Sequence, residues 1–164
     1  MNTHDALRAS ADLSRMVLKS FISDLEDADL MQRPAPACNH LAWQLGHLIS
    51  SEVMLLQAVK PGAEGVELPE GFAEAHSKEA VGEDDPAKFH TKQEYLDLLD
   101  KVYEASLATI ASMSESDLDA ESPENFRQFA PTVGHVAALI ATHPMMHAGQ
   151  FVPVRRALGK PVLM

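Results

Sequence analysis

Apolar residues recur along the chain at the period of an α-helix. Over residues 5–25, Leu7, Ser14, Leu18, Phe21 and Leu25 follow one another at seven, four, three and four residues. Arg8, Asp12, Arg15 and Lys19 fall mostly outside that stripe, as on a helix with one buried face. Residues 26–39 carry Pro34 and Pro36 and read as a loop, with one helical turn expected at Asp27 to Met31. Asn39 then offers an N-cap for a second helix over residues 40–59. Its faces divide cleanly: Leu41, Leu45, Leu48, Glu52, Leu55 and Val59 on one side, His40, Trp43, Gln44, His47, Ser51 and Met54 on another. Pro61 and Gly62 stop it.

Residues 62–90 are rich in Gly, Glu and Asp and weak in apolar pattern. Connections of this length are uncommon unless functional or partly ordered. The segment is expected to be a crossover, either a lid over the end of the helices or a partly mobile link. Thr91 with Glu94 three residues on forms a capping box for a third helix, whose apolar face runs through Tyr95, Leu98, Leu99, Val102, Leu107 and Ile110 to about Met113. A polar stretch follows, with a turn expected at Glu115 to Leu118. Thr132 caps the fourth helix, which Gly159 and Pro161 close. Pro144 and Pro153 lie inside it and leave the carbonyls of Ile140 and Gly149 without donors, so a bend near His143 or a break around Gly149–Pro153 is expected. Four amphipathic helices of about 20 residues make an all-α four-helix bundle in one domain over residues 1–164, with a long crossover between the second and third helices.

Composition narrows the function classes. The 164-residue chain carries a formal net charge of −11, and its densest basic cluster is Arg155, Arg156 and Lys160 at a helix C-terminus, where the dipole explains it. No nucleic-acid partner is expected, because such partners require clustered Lys and Arg. No apolar run approaches the roughly 18 residues of a membrane span, so no membrane partner is expected either. The start of the chain lacks the basic and apolar regions of a secretory signal, and Cys38 is the single cysteine; both fit a reducing cytoplasm. Cys38 reads as a reactive thiol beside a helix start or, more simply, as a small buried apolar residue.

The candidate chemistry lies in histidine. His143 and His147 are four residues apart, hence on one helical face, within reach of a single ion. Such a pair alone is common and needs a third ligand. His47, in the middle of the second helix among Leu45, Leu48 and Ile49, supplies it if the second and fourth helices face each other. Three imidazoles with open positions suit Zn²⁺, Ni²⁺, Fe²⁺ or Cu²⁺ and are catalytic in type. His40 is expected at an exposed or pocket-rim position, His135 too far along its helix for the same ion though able to line the pocket, and His4, His76 and His90 at the surface. Gly149 reads as a helix-packing residue, Gln150 as a hydrogen-bonding one, and Met145 and Met146 as core or interface. Tyr95 and Tyr103 are both candidates to reach the pocket, and nothing in the sequence selects either.

The segments WQLGHL (Trp43 to Leu48), HPMMHAGQ (His143 to Gln150) and RRALGKP (Arg155 to Pro161) together resemble the DinB-like superfamily, including its YfiT-like members, over nearly the whole chain. Pro144 departs from the acidic or bulky residue that commonly follows the first of the two late histidines. The resemblance implies a four-helix bundle that binds a divalent metal, most often zinc or nickel, through His47, His143 and His147. It implies a homodimer, and for some members a low-molecular-weight thiol cofactor such as bacillithiol, mycothiol or glutathione. The expected activity is therefore a metal-dependent thiol transferase or hydrolase acting on a small electrophilic molecule; the alternative is a non-catalytic metal-binding or structural bundle.

Overall fold

The computed structural model describes residues 1–63 and 65–162. Four long helices, α1 (Thr3–Ile22), α2 (Leu41–Val59), α4 (Lys92–Ala111) and α6 (Val133–Ala157), form a four-helix bundle. Two short ones, α3 (Phe72–Ala75) and α5 (Glu115–Asp119), lie in the connections. Helix α1 packs chiefly on α6 and also on α4, while α2 packs on α4 and α6, so α1 and α2 stand diagonally across the bundle. This order differs from a simple meander and sets α2 against α6, as a shared site between them requires. The main core joins Phe21, Ile22, Leu45, Leu48, Tyr95, Val102, Phe151 and Val154 from all four helices.

Helix boundaries follow from capping chemistry. The Asn2 side chain accepts from the Asp5 amide, and the Thr91–Glu94 box forms as the sequence predicts. Thr132 accepts from the His135 amide, and Gly159 takes the left-handed conformation (φ 69°) that ends α6. The turn expected at Asp27–Met31 is a 3₁₀ helix. Helix α1 ends at Ile22 rather than near Leu25, although Leu25 is still fully buried.

Four expectations are corrected. The N-cap of α2 is His40, not Asn39: its ring Nδ1 accepts the Trp43 amide at 3.0 Å. Helix α6 runs unbroken through Pro144 and Pro153 rather than being interrupted at residues 149–153. Gly149 is solvent-exposed, and a side chain there would meet nothing within 4 Å, so it is no packing contact. Arg155 does more than complement a dipole. It is fully buried, its guanidinium donating to the Asp24 carboxylate and to the carbonyls of Phe21 (2.6 Å) and Pro161 (2.8 Å), which fastens the end of α6 to the end of α1.

The crossover over residues 62–90 is held against the bundle at several points. Phe72 enters the main core. His76, expected at the surface, is buried: its Nδ1 lies 2.7 Å from the Phe72 carbonyl and its Nε2 2.8 Å from the Tyr95 hydroxyl. Its ring fills the notch left by Gly46, where a Cβ would come within 2.0 Å of the ring. Trp43 donates its indole N–H to the Ser77 carbonyl at 3.1 Å, and His40 Nε2 reaches the Glu83 carbonyl at 3.1 Å. Loop-borne histidines look exposed in sequence because nothing local says which of them another element will cover.

Candidate metal centre

Helix α2 brings His47, and the adjacent α6 brings His143 and His147, onto one side of the bundle. Their ring centroids lie 5.5 Å (47–143), 5.4 Å (47–147) and 4.9 Å (143–147) apart. One nitrogen from each ring falls within 4.8 Å of the other two. Tetrahedral zinc, with bonds of about 2.0–2.1 Å, holds its donors about 3.4 Å apart. Small rotations of the half-buried His47 and His143 side chains cover that difference. Pro144 does not spread the pair, because the helix keeps its register through it.

The electrostatics suit a cation. Burial pushes His143 down to about 4, helped by the nearby His47, and pushes His147 down to about 3, helped by His143 and His47. His47 is lowered by burial first and then by the Lys78 ammonium. All three rings are therefore neutral at physiological pH, the form that ligates. The three-histidine group contains no carboxylate among the described residues. Three protein donors leave at least one coordination position for a guest, the pattern of a reactive rather than a closed structural site.

Neighbouring side chains set the rings. Trp43 stacks flat on His47, centroids 4.8 Å apart and planes within 8°. The Ser51 hydroxyl lies 3.4 Å from both His47 nitrogens. Gln44 places its Oε1 2.9 Å from His147 Nδ1, a role the sequence does not announce. The signal present in the sequence is position: a polar residue one turn before His47, on the same face of α2.

The other candidates fall outside this group. His40 is buried and spent on its cap rather than lying at an exposed rim. His135 is exposed and bonded to Thr132, and does not line the site. His4, half-buried, bonds the Met113 carbonyl at 2.9 Å. Gln150 and Met146 are exposed, Met145 is partly buried against the main core, and Cys38 is half-buried. Tyr95 is committed to His76, and Tyr103 to Asp12.

Among the described residues no helix is long and apolar enough to cross a membrane. No curated protein matches the chain. Solved structures share its fold, among them the following two. A conserved protein of Enterococcus faecalis is 18% identical, with a TM-score of 0.74 over 98% of this chain and 99% of that one. YfiT of Bacillus subtilis, described as a probable metal-dependent hydrolase with an unusual four-helix bundle topology, is 14% identical, with a TM-score of 0.64 over 96% of this chain and 89% of that one. The model of the DinB superfamily matches residues 10–151, and the chain belongs to that superfamily.

Proposed function

We propose that the chain is a metal-dependent enzyme that holds a divalent cation, zinc or nickel, through His47, His143 and His147 and acts on a small electrophilic molecule. One observation carries this: three neutral imidazoles from two helices converge within 4.8 Å, His147 buried and His47 and His143 half-buried. A divalent cation there supplies Lewis acidity, lowering the pKa of a water or thiol that shares it. The chain's own residues do the rest. Trp43 walls one side and keeps His47 in plane. The positive charge of the exposed Lys78 is felt at His47, and it favours an anionic substrate or thiolate there.

The nucleophile is assigned to a low-molecular-weight thiol, with water as the alternative: either ionises on the cation, and a thiol does so from a lower starting pKa and gives the stronger nucleophile. A homodimer belongs to the same proposal, supported by apolar Leu13 and Met16 standing about half exposed on α1.

Elemental analysis of protein purified without a histidine tag tests the metal, with about one zinc or nickel per chain expected and none in His143→Ala. Turnover is tested by offering the metal-loaded protein a panel of thiols and model electrophiles. A rate no greater than that of His143→Ala would leave the non-catalytic, metal-binding bundle as the better account.

A further inference from the structure

An imidazole binds metal through one nitrogen, and what holds the other decides which. For His147 the surroundings decide it. The Gln44 carboxamide is buried and makes two bonds. Its Nε2 donates to the Asn39 carbonyl at 2.9 Å, at the start of α2. Its Oε1 lies 2.9 Å from His147 Nδ1. The Asn39 carbonyl accepts only, so the amide nitrogen must face it, and the amide cannot be turned over without losing that bond. The group facing His147 is therefore an oxygen without a proton. A hydrogen bond across that contact requires the proton to be on Nδ1, and a neutral ring protonated there has its free lone pair on Nε2.

We propose that Gln44 is the positioning residue of the metal centre: its carboxamide, oriented by the Asn39 carbonyl, fixes His147 as the Nδ1–H tautomer and leaves Nε2 as the ligand atom. This rests on the three-histidine metal site proposed above. Gln44 touches neither guest nor ion. It acts through His147, setting the ring's orientation and raising the basicity of Nε2 by accepting from the opposite nitrogen. Since Gln44 lies three residues before His47 on the same face of α2, one helix supplies both a ligand and the support for a ligand on its neighbour. The register of α2 against α6 and the assembly of the site are thereby the same event.

Two variants test it. Gln44→Met keeps the length of the side chain and removes the acceptor. Gln44→Glu keeps an acceptor towards His147 and removes the donor to Asn39. Long-range ¹H–¹⁵N correlation spectra of the metal-free protein near neutral pH report which ring nitrogen carries the proton, with His147→Ala assigning the signals. Zinc affinity is measured by competition with a chelator. The wild type is expected to show His147 protonated at Nδ1. Gln44→Met is expected to move towards the Nε2–H form and bind zinc about 10–100-fold more weakly, with Gln44→Glu recovering much of the loss. A wild-type His147 protonated at Nε2, or a Gln44→Met variant with unchanged zinc affinity, would overturn the assignment. If Gln44→Met does not fold, the wild-type spectrum and Gln44→Glu still decide. A wild-type chain that takes up neither zinc nor nickel would remove the metal site itself and this inference with it. That failure is read from the wild type alone and so is distinct from an unaffected variant.

Discussion

Glu52 lies on the apolar face of α2, buried beside a small cavity lined by Leu18, Leu99, Ile140 and Pro144. Burial pushes its carboxyl up to about 7 from an ordinary 4.5. Its neighbour Ser106 has one proton and also bonds the Val102 carbonyl at 2.8 Å. The protonated acid completes this chain without an orphan: Glu52 donates to Ser106, and Ser106 donates to Val102. The carboxylate would leave the single Ser106 proton to be shared. Glu52→Gln mimics the protonated acid, since its amide N–H donates to Ser106 in the same way. Between pH 4.5 and 7 the folded chain keeps a proton that the unfolded chain has released, so wild-type stability falls as pH rises through that window. At about 1.4 kcal/mol per pH unit for one proton, the gap amounts to about 2 kcal/mol at pH 6 and about 3 kcal/mol from pH 7 upward. The stability difference between Glu52→Gln and wild type should therefore be near zero at pH 4, grow through pH 5 and 6, and level off above 7. Urea unfolding of both proteins across that range, metal-free, gives the difference directly, and every other titrating group cancels. Parallel pH profiles for the two proteins would refute the burial of a neutral acid here.

Other outcomes follow from the same structure. Gly46→Ala drives a methyl into His76 and should cost about 1–3 kcal/mol in chemical denaturation, with faster amide exchange first appearing over residues 72–80; a variant of wild-type stability would mean that His76 does not occupy that notch. Removing a fully buried cation that binds two carbonyls and a carboxylate is expensive, and Arg155→Ala should destabilise by about 3 kcal/mol, seen as a lower thermal midpoint. His76, His143 and His147 are all depressed by burial, to about 4, 4 and 3. Unfolding should therefore take up protons below pH 6.5, and a metal-free Glu52→Gln protein should lose stability as pH drops from 6.5 towards 4. A flat profile there would mean that these rings are not buried as neutral species.

Much of the scaffold was legible because its signals are local. Periodicity marked the four long helices, and Thr91, Thr132 and Gly159 cap or close them as their chemistry dictates. The clustering of the three histidines was legible for a different reason: His143 and His147 share a face by spacing, and His47 is an unexplained polar ring in an apolar setting. What sequence misplaced was long-range. His40 and His76 are polar residues at a helix start and in a glycine-rich connection, and only the tertiary fold covers them. Arg155 looks like an ordinary dipole partner until Asp24 and the Phe21 carbonyl arrive from more than 130 residues away. Of the bend near His143 or the break at residues 149–153 that the prolines suggested, the break did not occur: Ala148, Phe151 and Val154 pack into the main core on both sides of Pro153.

The crossover that seats His76 against Gly46 also holds the Trp43 indole through Ser77 and carries Lys78, whose charge is felt at His47. Grip and choice are thus written in separate parts of the chain. The helices carry the three imidazoles, while a stretch without regular periodicity packs beside them. Under the proposed metal site, changes along that stretch can alter what reaches the imidazoles and leave the imidazoles themselves undisturbed.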